Sequence, residues 1–433
     1  MGLFDWLRGL FGKRPVVERE VAGLDVDDGD LDQRREVIAT DGPLRPGGRR
    51  RALRDPALLP KPAAERAKPR NKRRRQLTRD EATRLFAGTL VTRNRALRDV
   101  ATDVDALARR GLPAWRDEAE LAAGRGLTVK QLRHFSIHRA AERVTHYVCF
   151  ARPKRSGGER LIHAPKRRLK AVLRRVDAAL GTKLPVHEAA HGFRRGRSPK
   201  TNAEAHAGAA VFVRLDLRDF FPSITAARVR GYLVGMGYGY PVAATLAVLV
   251  TEPERQPVDV DGTTYHVPVG PRTTPQGAPT SPTIANALVE RLDRRLAGLA
   301  RRRGLRYTRY ADDLTFSSTD PALAVSALVG AVRRVVEDEG FALNPQKTRV
   351  RRRSARITGV TARPDGSTGL SKRERRKIRA LADAVVCGRA PERRAELDGW
   401  LAYLTSVDRA HADALRAWIA RRAATVGSPT SVR

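Results

Sequence analysis

Cysteine is nearly absent from this chain: only Cys149 and Cys387 occur among 433 residues, with no CxxC pair and no Cys/His ligand spacing. That scarcity excludes a disulfide framework and a structural zinc site, and it fits a protein that works in a reducing cytoplasm. Long apolar runs are missing too. Nothing approaches the roughly 18 consecutive apolar residues of an ordinary transmembrane helix, and the N-terminus carries no cleavable signal pattern. No segment repeats at a period of about 20 to 50 residues, which sets solenoids and propellers aside. Acid is the other scarce component. The chain has 47 Asp and Glu against 84 Lys and Arg, a formal charge of +37 and a pI near 11.4. High-GC codon usage accounts for part of the Arg count but not for the excess over acids. Such an excess points to a polyanionic partner, with nucleic acid foremost, because each phosphate neutralised by Lys or Arg releases condensed counterions.

The length permits one large multi-lobed unit or about two to three domains. The opening "MGLFDWLRGLFG" sets Leu3, Phe4, Leu7, Leu10 and Phe11 on one helical face. Such a segment packs on its own protein or offers a weak contact to a membrane or a partner through residues 3–11. From about Val16 to Arg75 the composition turns to Asp, Gly, Pro and Arg, with "RPGGRRR" and "KPRNKRRRQ" as charge blocks. Residues 1–75 therefore read as a short amphipathic helix and a basic, largely disordered arm. Helical periodicity returns between Leu77 and Ala123, where Thr78 and Glu81 make a capping box, giving a small helical region over 76–130.

Two strands are expected next, Thr145–Ala151 and Glu159–Ala164, around a basic Ser-Gly-Gly turn. An amphipathic helix follows in "KRRLKAVLRRVDAAL", and Val211–Leu217 reads as a strand ending at acids and aromatics. Helical patterns occupy "AARVRGYLVGMG" and "PVAATLAVLVT". The Pro- and Gly-rich "VPVGPRTTPQGAPTSP" leads into one helix over "TIANALVERLDRRLAGLARRRG". A hairpin over Leu305–Ser318, a helix over Ala324–Glu339, a short strand region and an Arg-rich helical stretch from Ser371 to Arg422 complete the pattern.

Within the hairpin "LRYTRYADDLTFSS", Asp312 and Asp313 sit side by side. Adjacent carboxylates repel, and a lone pair of Asp in a turn more often serves local hydrogen bonding. Context shifts the reading. "LDLRDFF" puts Asp216 at a strand end, so three carboxylates can converge at one sheet edge. Three such acids suit Mg²⁺, which prefers hard oxygen ligands, keeps several waters and takes up substrate phosphates. Two such ions activate an attacking hydroxyl and stabilise a leaving pyrophosphate.

At these residues the chain resembles a reverse transcriptase, whose YxDD hairpin matches Tyr310, Ala311, Asp312 and Asp313. "APKRRLKAV" resembles the finger motif, "LDLRDFFPSI" the first palm carboxylate motif, "PQGAPTSPTIAN" the nucleotide- and template-contacting loop and helix, and "LNPQKTRV" the next palm motif. The NAxxH pattern of Asn202, Ala203 and His206, with Thr358 and Gly359 in a VTG-like "ITGVT", narrows the resemblance to bacterial retron reverse transcriptases. It runs from about Leu132 to Ala420, in family order.

The resemblance implies an α+β, right-hand polymerase with fingers and a ferredoxin-like βαββαβ palm over 131–355. A helical thumb over 356–433 follows, and the basic extension precedes it. Asp216, Asp312 and Asp313 are then metal ligands for two Mg²⁺ ions, replaceable by Mn²⁺ in vitro, with dNTPs as substrates. Asp219 either supports that site or caps the following helix. Phe221 takes the position of a steric gate against the 2′-OH of an rNTP, and Gln276 and Gly277 contact nucleotide and template. Arg160 and Lys166 are candidate triphosphate ligands. Lys347 either protonates the departing pyrophosphate or binds template. Asn202, His206, Thr358 and Gly359 belong to family-specific or RNA-binding structure, and Lys372, Arg375 and Arg376 to a basic helix that meets a duplex backbone.

The expected activity is RNA-templated DNA synthesis on a cognate structured non-coding RNA. That RNA supplies a 2′-OH primer, giving a branched RNA–DNA product, in antiphage defence with an effector protein. Two readings stand beside it, another bacterial reverse transcriptase of group II intron or diversity-generating type, and a non-catalytic RNA-binding scaffold. No Cys/His-rich endonuclease module follows the thumb, which tells against the intron type, and no RNase H module is discernible.

Overall fold

The computed structural model describes residues 100–136, 142–153, 159–260 and 262–427. The expected N-terminal helix, the basic arm and the Thr78–Glu81 capping box lie outside them. The described residues form two compact units that interleave along the sequence: His187–Arg218 with residues 290–427, and residues 100–186 with Asp219–Val289.

The first unit is built on a four-stranded sheet in the spatial order Arg306–Tyr310, Asp313–Ser318, Val211–Asp216, Arg349–Arg352. All neighbours are antiparallel. Counted along the chain this order is 2-3-1-4, the ferredoxin-like βαββαβ arrangement read from its other edge. Val211–Asp216 lies inside the sheet, and Val211, Phe212, Val213 and Leu215 are buried. A strand covered on both faces reads as a continuous apolar run rather than an alternation. The helices Glu290–Arg302 and Val325–Asp338 pack on one another and connect the strands.

Beyond the sheet, Ala355–Ile357, Val360–Ala362 and Thr368–Gly369 form a small antiparallel sheet. Its buried Ile357 and Val360 share a core with Leu370, Ile378, Leu404 and Val407. The Arg-rich stretch expected as one helical region is divided into Lys372–Val386, Arg394–Val407 and Arg409–Gly427. The breaks have local causes. Gly388 adopts a left-handed φ of 70°, Pro391 disfavours helix in the residue before it, and Asp408 turns its side chain to accept from the His411 N–H at 3.1 Å. Ser371 and Glu374 form a capping box at the start of Lys372–Val386.

The second unit contains two β-hairpins and a set of helices. Tyr147–Pro153 pairs with Glu159–Pro165, as the alternation predicts. The hairpin of Arg255–Val260 with Thr263–Pro268 is not predicted. The helix Arg167–Leu180 buries Leu169, Val172, Leu173, Val176 and Leu180, a stripe at helical spacing. The long helix predicted over "TIANALVERLDRRLAGLARRRG" is instead two, Ser281–Leu288 and Glu290–Arg302, broken at Val289. Its φ of −94° and ψ of 8° leave the helical range. Among the described residues no helix is long and apolar enough to cross a membrane.

Candidate active site

The acidic edge of the first unit is set by strand register. Asp216 stands directly opposite Asp313, and Tyr310 pairs with Asp313 across the hairpin. The turn between them is Ala311 and Asp312, with Ala311 in the left-handed region at φ 56°. Backbone bonds fix the edge from both sides. The Leu217 N–H donates to the Asp312 carbonyl at 2.9 Å and the Asn344 N–H to the Asp216 carbonyl at 2.8 Å.

The three carboxylates feel one another. Burial, followed by the charges of Asp313 and Asp216, raises Asp312 to about 7. Asp312 hydrogen-bonds to Asp216, which is itself raised by burial against the opposing pull of Lys347. Lys347 Nζ lies 2.9 Å from both Asp216 carboxylate oxygens, and Arg214 Nη2 lies 3.3 Å from Asp313 Oδ2. Among the described residues no three acids, histidines or cysteines stand at metal-ligating spacing. The donor chemistry nevertheless fits a hard divalent cation, because all three side chains offer carboxylate oxygens whose mutual repulsion a cation relieves. Asp216, Asp312 and Asp313 are the residues that could hold it.

Elements that the sequence reading did not single out hold this turn. Arg309, fully buried, donates from Nη2 to Asp293 Oδ2 at 2.7 Å and from Nε to Oδ1 at 2.8 Å. Its Nη1 donates to the Ala311 carbonyl at 3.2 Å. Gly192 lies so close that a Cβ there would stand 2.7 Å from the Ala311 nitrogen. Behind the hairpin, His206 Nε2 and Nδ1 lie 2.7 Å from Thr308 Oγ1 and Ser317 Oγ. Thr308 in turn donates to Asn202 Oδ1 at 2.6 Å, and Asn202 Nδ2 donates to Thr358 Oγ1 at 3.3 Å. Thr358 and Gly359 form the turn between two strands, with φ of 46° and 94°. Asn202 and His206 are thus buried polar groups satisfied inside their own unit. Lys372 and Arg376 are exposed and Arg375 half-buried, on the helix whose other face buries Ile378 and Leu381.

The remaining candidates belong to the second unit. The Phe221 carbonyl accepts from Thr274 Oγ1 at 2.8 Å and from the Ile224 N–H at 3.1 Å, leaving its ring half-buried beside that of Phe220. Asp219 does not cap the following helix; Thr225 does, accepting from the Arg228 N–H. Asp219 instead adopts a left-handed φ of 47° and accepts the Ser223 N–H through its carbonyl. The Gln276 carbonyl accepts the His163 N–H at 2.9 Å. A Cβ on Gly277 would stand 2.8 Å from the His163 carbonyl oxygen, so only glycine permits this approach to the hairpin. Arg160 lies half-exposed on that hairpin, and Lys166 is buried at the start of Arg167–Leu180.

Residues 152–362 match the family described as reverse transcriptase (RNA-dependent DNA polymerase). The chain is 54% identical to the retron Mx65 reverse transcriptase of Myxococcus xanthus, over 94% of this chain and 96% of that one. The chain belongs to the retron reverse transcriptases. It is also 44% identical to the retron Mx162 reverse transcriptase of Myxococcus xanthus, covering 72% of this chain and 68% of that one. With the retron Ec86 reverse transcriptase of Escherichia coli the identity is 31%, over 69% and 87%. This retron reverse transcriptase is therefore an RNA-directed DNA polymerase with the right-hand polymerase fold, and its four-stranded sheet is the palm. Enzymes of this family use an RNA template, dNTPs and divalent metal ions.

Proposed function

We propose that this retron reverse transcriptase copies a cognate structured non-coding RNA from a 2′-OH of that RNA, leaving a branched RNA–DNA product. The observation that carries the site assignment is the register of Asp216 opposite Asp313, with Asp312 raised to about 7 by burial and by both neighbours. Asp216, Asp312 and Asp313 are the ligands for Mg²⁺. When bound, Mg²⁺ neutralises the crowded acids, activates the attacking hydroxyl and stabilises the leaving pyrophosphate. Lys347, already 2.9 Å from Asp216, supplies a positive charge and a proton on the leaving-group side. Phe221 excludes the 2′-OH of an rNTP. Gln276 and Gly277 seat nucleotide and template, and Arg160 and Lys166 take the triphosphate. Lys372, Arg375 and Arg376 bind phosphates of the RNA duplex, which is read mainly by shape and backbone. The biological setting we infer is antiphage defence in the cytoplasm with an effector protein.

The test is incorporation of labelled dNTP by the purified protein with Mg²⁺ and its co-purifying RNA, without added primer. Product covalently joined to that RNA and released by a debranching enzyme is the expected result. Synthesis only on an added primer and template would refute 2′-OH self-priming. The Asp312→Asn, Asp313→Asn variant is expected to lose synthesis while retaining RNA, and full activity in it would overturn the metal assignment.

A further inference from the structure

The segment ahead of the NAxxH helix contains a side chain that the polymerase reading leaves unused. Phe193 is 51% exposed and is the one large hydrophobic side chain exposed among the described residues. Its backbone is left-handed, with φ 57°, a conformation that a bulky L-residue adopts only where its surroundings impose it. Those surroundings are visible. The Arg309 N–H donates to the Ala189 carbonyl and the His191 N–H to the Arg309 carbonyl, each at 2.8 Å, so this segment runs as a parallel bridge along the hairpin strand. Gly192 then presses against the Ala311 backbone. The ring of Phe193 is delivered beside that of Tyr310, with centroids 6.4 Å apart and planes inclined by 43°.

Tyr310 immediately precedes the turn that bears Asp312 and Asp313. Two rings fixed at the edge of that turn, one of them open to solvent, offer a π-face where a base can lie. The charge nearby matches nucleic acid, since Arg195 and Arg197 follow within four residues and both are exposed. A base stack is also tolerant of sequence, because every base has a π-face. That tolerance is what a polymerase needs while its product changes at each step.

We propose that Phe193, backed by Tyr310, is a stacking platform for the terminal base of the growing DNA strand. The assignment rests on the reading of the Asp312–Asp313 turn as the site of synthesis. It concerns primer-end binding rather than the chemical step, and it makes Phe193 a binding residue.

The test is equilibrium binding of a fluorescent RNA template–DNA primer duplex to the full chain, by anisotropy and without dNTP. Phe193→Ala and Phe193→Leu are expected to weaken binding about tenfold, the scale of one lost base–aromatic stack, whereas Phe193→Trp binds at least as well as the parent. Thermal midpoints should be unchanged, because the side chain is exposed. Binding by the leucine variant equal to that of the parent would reduce the ring to apolar cover and overturn the proposal. So would unchanged affinity in both the alanine and leucine variants, the result expected if the ring serves a protein partner instead. A second measurement needs no variant to fold. A duplex with an abasic site at the primer 3′ end should bind the parent protein about tenfold less tightly, with no further loss in Phe193→Ala. Independent, multiplying losses would place the ring away from the primer end and refute the assignment. Since neither measurement involves synthesis, a protein that binds as expected but incorporates nothing would count against the metal site and not against this platform.

Discussion

Arg309 lies fully buried against Asp293, 2.7 Å from one carboxylate oxygen and 2.8 Å from the other, while its remaining nitrogen reaches the Ala311 carbonyl at 3.2 Å. The Tyr307 hydroxyl completes the cluster by donating to Asp293 at 2.8 Å. A residue of the hairpin strand is thereby tied to the helix Glu290–Arg302 and to the left-handed residue that precedes both acids. A buried pair of this kind adds little net stability over a well-packed apolar pair, but losing one partner strands a charge in the interior.

Arg309→Met should therefore lower the unfolding free energy by about 3–5 kcal/mol, read by urea denaturation. In the double variant Arg309→Met, Asp293→Leu most of that stability should return, because no charge is left unpaired. DNA synthesis should not return with it, since the Ala311 carbonyl has still lost its donor. Recovery of both together would show the pair to be packing alone.

Gly192 tests the same turn from the opposite side. Its Cβ would stand 2.7 Å from the Ala311 nitrogen and 3.3 Å from the Tyr310 carbonyl carbon, both backbone atoms with no inexpensive escape. Relief requires the acidic turn to shift, and misplacement of a reacting group by about 1 Å can cost on the order of a hundredfold in rate. Gly192→Ala should reduce kcat for dNTP incorporation at least about tenfold, while overpacking removes about 1–3 kcal/mol of stability. A kcat within twofold of the parent would show that the approach is not needed.

His206 makes a prediction about pH. Burial first, then the charges of Arg306 and His191, holds its pKa near 3, against about 6.5 in an unfolded chain. Above pH 6.5 the ring is neutral in both states and its contribution is complete. As the pH falls from about 6.5 towards 3, the unfolded state takes up a proton that the folded state refuses. Stability then declines by about 1.4 kcal/mol per pH unit. Other buried histidines, such as His191 near 4, act with the same sign, so the diagnostic is a difference in slope. Between pH 4.5 and 6, His206→Gln should depend on pH by about one proton less than the parent in urea unfolding. Identical slopes would mean that His206 titrates normally in the fold.

How far the sequence foretold this arrangement depends on whether a feature is written in periodicity or in pairing across the fold. The meeting of Asp216 with Asp313 is legible, because Asp216 follows an apolar run, Asp313 follows the first strand of a hairpin, and strand ends gather at a sheet edge. The hairpin Arg255–Pro268 is masked in the sequence by Pro257, which argues against a strand. The Asp261-Gly262 dipeptide between alternating residues was the signal that could have found it. Asp293 gave no warning. Within "ERLDRRLAGLARR" it looks like one more charge on an amphipathic helix, and only the fold reveals that it faces Arg309. Asn202 and His206 are visible in the sequence as a motif, but their contacts are not, since their partners Thr308, Ser317 and Thr358 are more than a hundred residues away.

Phe220 and Phe221 are neighbours in sequence with different surroundings. Phe220 is 4% exposed, whereas Phe221 is half-buried, its ring 5.3 Å from that of Phe220. The Phe221 carbonyl is held by Thr274 Oγ1 and the Ile224 N–H, so removing its ring should leave the backbone where it is. If the ring is what excludes a 2′-OH, Phe221→Ala should lower the dNTP-to-rNTP ratio of kcat/KM by about tenfold or more. The change should come chiefly from faster rNTP use, since a steric clash removed is worth at least about 1.4 kcal/mol at that ratio. Phe220→Ala should do the reverse, losing about 3–5 kcal/mol of stability as a core truncation while leaving the ratio unchanged. Competition between labelled dNTP and rNTP on a primed RNA template measures both. An unaltered ratio in Phe221→Ala would return that ring to the core and leave sugar selection to other residues.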